Sequence, residues 1–261
     1  QKETTLTLTV STRAGDPTQN NQAGHNLETN EEMKTLRVIV ARHEGNEIIY
    51  NWYEDNIADN DFQRTINFSE LTIETTGETF DFYAIANEAS LDLSQAGIAS
   101  LEGKDVNLPA LKSCIINRDY NVWTAGNIPQ TAFESVSVVP GTSDDFTMQL
   151  EFVVAKVEFI VVNATQSSQN ISNIVLSNAS TQSTSLFPSD NVLSAGSEDV
   201  NLDNVSVQAG ATSNPVSAYF YESRRDEASL YGFTAWWGRR QSVDLSDVAE
   251  LPREKKLRIM V

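Results

Sequence analysis

Short apolar stretches recur along this chain, some alternating with a period of two and some continuous, closed by Asn, Asp, Gly, Ser or Pro. Both are signatures of strands, the alternating ones with one face in a core. Clear runs are Leu36-Arg-Val-Ile-Val-Ala41, Phe80-Asp-Phe-Tyr-Ala-Ile-Ala86, Ser135-Val-Ser-Val-Val139, Ile174-Val-Leu176, Val205-Ser-Val207, Ala218-Tyr-Phe-Tyr221 and Lys256-Leu-Arg-Ile-Met-Val261. Their Thr, Val, Ile and aromatic content suits strands. Only Glu31-Glu-Met-Lys34 and residues 91–101 read as short helical or turn segments, and no longer helix-period stretch exists. The expectation is an all-β, sandwich-like chain.

The longest apolar tract, Met148-Gln-Leu-Glu-Phe-Val-Val-Ala-Lys-Val-Glu-Phe-Ile-Val-Val162, follows the turn-like Pro140-Gly-Thr-Ser-Asp-Asp145. It reads as the opening strand of a second unit. With 261 residues the chain has room for two ordinary domains. The boundary is expected near residue 145, giving an N-terminal domain over 1–145 and a C-terminal one over 146–261. Residues 14–30, polar and patternless, read as a flexible segment.

A formal charge of −18 makes nucleic acid and anionic membrane surfaces poor partners. One cysteine, Cys114, allows no internal disulfide and no thiolate metal site. The two histidines, His25 and His43, have no Gly-x-Ser-x-Gly elbow beside them and read as surface loop residues. Tyr53-Glu-Asp-Asn-Ile-Ala-Asp-Asn-Asp-Phe62 is acidic enough to suggest calcium. However, Ile57 stands where a ligand is needed and no glycine makes the turn, so a solvated acidic loop is expected. Five Asn-x-Ser/Thr sequons, at Asn67, Asn163, Asn170, Asn178 and Asn204, are ordinary in an Asn/Ser-rich chain. No constellation here carries an enzyme, a cofactor or a metal.

Two features point to binding. In Ala235-Trp-Trp-Gly-Arg-Arg240, adjacent tryptophans on a strand face opposite ways. Trp236 or Trp237, beside Arg239 and Arg240, could then stack on a sugar ring, although Trp237 packing under its own turn is the plainer reading. The second feature is the opening stretch, Thr4-Thr-Leu-Thr-Leu-Thr-Val10, in which Leu6, Leu8 and Val10 alternate with hydroxylated residues. It runs into Arg13-Ala14 and then the patternless segment. From its residues alone it is an N-terminal edge strand with an incidental arginine.

Several stretches taken together resemble a known family. Phe80-Asp-Phe-Tyr-Ala-Ile-Ala-Asn-Glu88 is similar to a strand ending in Tyr-x-x-x-Asn, and Asn127-Ile-Pro-Gln130 to an Ile-Pro-Met motif. Phe152-Val-Val-Ala-Lys-Val-Glu158 resembles an Arg-x-Val-Ala-Lys-Val strand, and Ala218-Tyr-Phe-Tyr-Glu222 a Phe-Tyr-x-x-Glu strand. Their order and spacing, over roughly residues 4–261, resemble the fimbrillins of Bacteroidetes, the subunits of type V pili. The departures are Phe152 or Val153 in place of Arg and Gln130 in place of Met.

The resemblance implies two transthyretin-like β-sandwich domains, export as an outer-membrane lipoprotein, and a place in a cell-surface fimbrium. It further implies that an arginine-specific protease cuts between Arg13 and Ala14. Residues 4–10, with Leu6, Leu8 and Val10 as the plug, then give way to a strand from another pilus subunit. A host or bacterial surface ligand is implied for adhesion, with membrane contact only through the precursor's lipid anchor. The chain opens directly in strand-like sequence, so any targeting segment would precede Gln1. At the other end Leu257, Ile259 and Val261 alternate and the chain stops. Either a donor extension is missing there, or the subunit accepts a strand without giving one. The competing expectation is a surface lipoprotein that binds glycans through Trp236 or Trp237.

Overall fold

The computed structural model describes residues 2–12, 29–59, 61–73, 77–117, 123, 127–179, 183–188, 198–221, 223–224, 232–237, 239–243, 250–251 and 256–260. The fold is all-β and sandwich-like. Among the described residues there is one α-helix, α1 (Leu108–Lys112), together with 3-10 turns at Thr29–Glu31, Glu88–Ser90 and Ser94–Ala96. Contacts divide the chain into two compact units, one within residues 1–116, 125–153 and 185–189, the other within 117–124, 154–184 and 190–261.

The first unit holds β1 (Lys2–Thr12), β2 (Leu36–Arg42), β3 (Ile48–Glu54), β4 (Gln63–Ile73), β5 (Glu78–Ala86), β7 (Gln130–Val138) and β8 (Ser143–Phe152), after the short β6 (Ile115–Asn117) that precedes β7. Their order is β3-β2-β5-β7-β8-β1-β4. The sheet is nearly broken in the middle: β7 and β8 pair only at Gln130↔Phe152 and Thr131↔Glu151. Two sheets result, β3-β2-β5-β7 and β8-β1-β4, folded onto one core. Leu6, Leu8 and Val10 share that core with Val38, Val40, Phe68, Phe80, Phe82, Met148 and Leu150. Rings bridge the layers, Tyr50 to Phe68 at 5.1 Å, Phe68 to Phe82 at 6.0 Å and Phe82 to Phe146 at 4.7 Å. At the far corner Arg64 of β4 donates to Glu54 of β3 at 3.0 Å.

β2 and β5 are near-continuous apolar runs because both their faces are covered. Phe80, Phe82 and Ala84 face the core, and Asp81, Tyr83 and Ile85 are buried on the other side. The segment after β5 covers that outer face. Arg37, 3% exposed, makes a two-pronged ion pair with Glu88 at 2.6 and 2.8 Å, and Asn51 donates to the Leu101 carbonyl at 2.8 Å. Lys112 of α1 reaches Asp81 at 3.3 Å, and Phe187 packs edge-on against Tyr83.

The second unit holds β9 (Val154–Ile160), β10 (Gln169–Ala179), β11 (Ser183–Ser185), β12 (Glu198–Leu202), β13 (Val205–Val207), β14 (Val216–Tyr221), β15 (Ser223–Arg224), β16 (Gly232–Trp237), β17 (Arg239–Val243), β18 (Glu250–Leu251) and β19 (Lys256–Met260). One sheet runs β12-β10-β16-β17 and another β14-β9-β19. Its own core gathers Val157, Phe159, Ile171, Ile174, Leu176, Val200 and Phe220.

The division expected near residue 145 needs correcting. That position lies inside β8, which pairs with β1 along its length, and the units part between Val153 and Val154. The long apolar tract is two strands meeting at Val153, not one. Alternation cannot reveal this, because β8 is amphipathic while β9 is buried on both faces. The helical expectation at 31–34 is shifted to Thr29–Glu31, and α1 was not foreseen. A helix of five residues is too short to show a period. Its cues were Asn107, whose side chain accepts from the Ala110 amide, and Pro109 in the first turn.

Candidate functional site: the slot held by the first strand

β1 is the middle strand of a three-stranded sheet. It pairs antiparallel with β4, from Lys2↔Ile73 to Ser11↔Gln63, and parallel with β8, from Thr5↔Ser143 to Thr12↔Leu150. The edge-strand reading therefore fails. β4 has β1 as its sole ladder partner among the described strands, so without β1 this sheet reduces to two separated strands. Neither neighbour is local: β2 and β3 lie between β1 and β4 in the chain, and β8 lies more than 130 residues along it, so neither pairing leaves a local trace.

The expected plug is buried as its alternation demands: Leu6, Leu8 and Val10 are each fully excluded from solvent. The inward face is longer than the apolar trio. Thr4 and Thr12, two residues beyond it on either side, are buried too. Thr4 Oγ1 accepts from the Gly141 amide at 3.0 Å, in the turn between β7 and β8 where Gly141 has a φ of +80°. Thr12 donates its amide to the Phe62 carbonyl at 3.0 Å. Continuing the period of two in both directions would have found these positions; hydroxyls at inward positions hid them.

Arg13 and Ala14, like most of the segment 14–30, lie outside the described residues. Residues 30–34, at the far end of that segment, are pinned. Asn87, buried and left-handed at φ +58°, donates to the carbonyls of Glu32 and Ile128, both at 2.9 Å, and accepts from the Lys34 amide at 2.9 Å. Ile128 donates its amide to the Asn30 carbonyl at 2.7 Å, and Gln130 donates to the Glu31 carbonyl at 3.1 Å. The motif residues Asn87, Ile128 and Gln130 thus form a clasp on residues 30–34. A cut in the preceding segment would disconnect β1 while leaving the entry to β2 fastened.

The other two motif strands pair in the second unit, where Lys156↔Tyr219 are register partners. Lys156 lies 3.4 Å from Glu158 and above the Tyr219 ring, and Trp123 donates to the Tyr221 hydroxyl at 3.0 Å. These motifs are packing devices.

Other candidates resolve into structure. Asp81, 1% exposed, accepts from Ser135 at 2.6 Å, from Tyr83 and Lys112 at 3.3 Å, and meets His43 Nδ1 at 2.8 Å. Burial alone would push its carboxyl up; the Ser135, His43 and Lys112 donors outweigh it and hold the group below the usual carboxylate range. Burial and neighbouring Asp81 push the Tyr83 hydroxyl up. Ser135 and His43 address the same carboxylate oxygen, which is not the Ser-His-Asp order that activates a nucleophile. In the acidic loop Asp59 pairs with Lys34, Asp61 pairs with Arg64 at 2.5 Å, and Ile57 is buried in the core. The sequon residue Asn163 is buried and donates to the Ser167 and Gln208 carbonyls at 2.8 and 2.9 Å. Trp236 and Trp237 stand opposite Arg240 and Arg239 in the β16–β17 register; their side chains lie outside the described residues.

No family model matches the chain, and no curated protein matches it in sequence. Solved structures do. The tip fimbrial protein Mfa3 from Porphyromonas gingivalis, truncated at its C-terminus, superposes at a TM-score of 0.59 with 14% identity, over 92% of this chain and 81% of that one. A fimbrial assembly protein from Parabacteroides distasonis gives 0.54 with 13% identity, over 99% and 90%. A structure from Bacteroides thetaiotaomicron described as a putative polysaccharide binding protein gives 0.51 with 12% identity, over 100% and 91%. The chain shares the fold of these three structures.

Proposed function

We propose that this chain is a non-enzymatic, adhesive subunit of a cell-surface pilus, matured by cleavage between Arg13 and Ala14 and joined to its neighbours by strand exchange at the β1 slot. The observation that carries the reading is the place of β1 between β8 and β4, with Leu6, Leu8 and Val10 wholly in the core. The fold shared with fimbrial proteins supports it.

Burying the three aliphatic side chains stabilises by about 1.5–3 kcal/mol each, a large part of the roughly 5–15 kcal/mol that holds a domain folded. Severed β1 therefore does not fall out unaided, and its loss would leave two open edges. A replacing strand restores both ladders and the same burial, so exchange proceeds near balance. Cleavage supplies direction by removing the tether. The partners in this reading are other pilus subunits, an arginine-specific protease and a surface ligand, with a lipid anchor on the precursor at the outer membrane.

Limited digestion of the folded protein with an arginine-specific protease tests this. Arg42 and Arg64 lie in strands and are ion-paired, to Glu47 and Glu78 and to Glu54 and Asp61, so they resist cleavage. The expected result is a single early cut at Arg13, followed by laddered oligomers. First cleavage at Arg42, Arg64 or Arg118, or a cut product that stays monomeric, would sink the proposal. A second reading, glycan binding through Trp236 or Trp237, draws support from the fold shared with the polysaccharide-binding structure. Retention on a polysaccharide gel that is lost on Trp237→Ala would favour it.

A further inference from the structure

The inward face of β1 has five steps, and one of them is badly matched. Thr4 has its amide donor at Gly141, and Leu6, Leu8 and Val10 lie among apolar side chains. Thr12 is 3% exposed, yet its Oγ1 has no hydrogen-bond partner among the described residues. A buried hydroxyl left unpaired loses its water and gains nothing in return. Valine has nearly the same shape with a methyl in place of the hydroxyl, so it fills the same space without that loss.

We infer that Thr12 is the specificity-determining step of the slot: a strand carrying an aliphatic side chain of valine size at this level is preferred over β1. The partner this describes is an extended segment with a hydrogen-bond acceptor at the Thr4 level, aliphatic residues at the next three inward steps and a fourth aliphatic at the Thr12 level. The inference rests on the reading that β1 is replaceable. It adds that the unmatched inward side chain of β1 lies at the end nearest Arg13, so a replacing strand gains over β1 at that end. Thr4 sets the polarity, because among the described residues the Gly141 amide meets an inward side chain at the Thr4 end and none meets Thr12 Oγ1 at the other.

Two measurements test this. In equilibrium denaturation of the intact chain, Thr12→Val raises the folded-to-unfolded ratio by roughly fivefold or more, Thr12→Ser brings no gain, and Thr4→Val lowers the ratio. A Thr12→Val chain no more stable than the parent overturns the inference whatever happens to β1. In the second measurement the full chain is severed at a protease site inserted between residues 13 and 28. It is then challenged with labelled peptides of residues 2–12. The Thr12→Val peptide should enter at a concentration roughly fivefold or more below the unaltered peptide, and the Thr4→Val peptide should need more. Equal entry of the unaltered and Thr12→Val peptides overturns the role of Thr12 alone. Failure of every peptide to enter overturns strand replacement itself, and this inference with it.

Discussion

The two sheets of the first unit solve the same burial problem in different ways. In β3-β2-β5-β7, strands β2 and β5 are covered on both faces: Phe82 and Val38 point into the core, and Arg37, Asp81 and Tyr83 are buried beneath the segment after β5. In β8-β1-β4, strand β1 buries only alternate residues, while Thr5 is exposed and Thr7 and Thr9 are half-buried. A strand enclosed on both faces is fixed by side chains that interlock with a second layer. A strand enclosed on one face is held by ladders and a single apolar row, all of which a similar strand could restore. If β1 is exchanged as proposed, permanence and exchangeability are distributed between two sheets that share one core.

Substitutions can break or sharpen that contrast. The largest expected effect is Phe82→Ala, at about 3–5 kcal/mol by urea denaturation, with no recovery when a β1 peptide is added. Leu8→Ala should cost about 2–5 kcal/mol, but in the severed chain an unaltered β1 peptide should restore the lost stability. If neither or both recover, the contrast fails. Arg37→Met leaves Glu88 without its partner and should cost about 3 kcal/mol, read as a lower denaturation midpoint.

Asp81→Asn should cost about 1–3 kcal/mol by unpairing buried donors, and it carries a pH signature. The folded carboxyl sits below its ordinary value, so its contribution is complete above the unfolded pKa of about 4 and fades as pH falls through the folded value. The parent should therefore lose stability on acidification faster than the Asn variant, with the curves converging at low pH. The smallest effect belongs to Thr9→Val, on the outer face of β1, where the Thr65 hydroxyl lies 3.5 Å away. A change beyond about 0.5 kcal/mol would mean that this face is covered after all.

Much of the architecture is readable from residue order, and the misreadings have physical causes. Alternation at Leu6, Leu8 and Val10 is enough to place those side chains inward, and the motif around Asn87 marks a buried turn that only a residue tolerant of positive φ fills readily. The division near residue 145 was misplaced because periodicity reports how a strand is buried, not which sheet it joins. The double covering of β5 shows as a continuous apolar run, but nothing in the run names what covers it.

By itself the sequence determined that the chain is built of strands and which faces of them turn inward, because side-chain direction alternates locally along an extended backbone. Only the tertiary structure decided that β1 has a neighbour on each side, parallel to β8 and antiparallel to β4, and that Thr12 sits buried without a partner for its hydroxyl among the described residues. Pairing between strands so far apart in the chain is set by which apolar faces close one core together, and that is a property of the whole packed unit rather than of any segment in it.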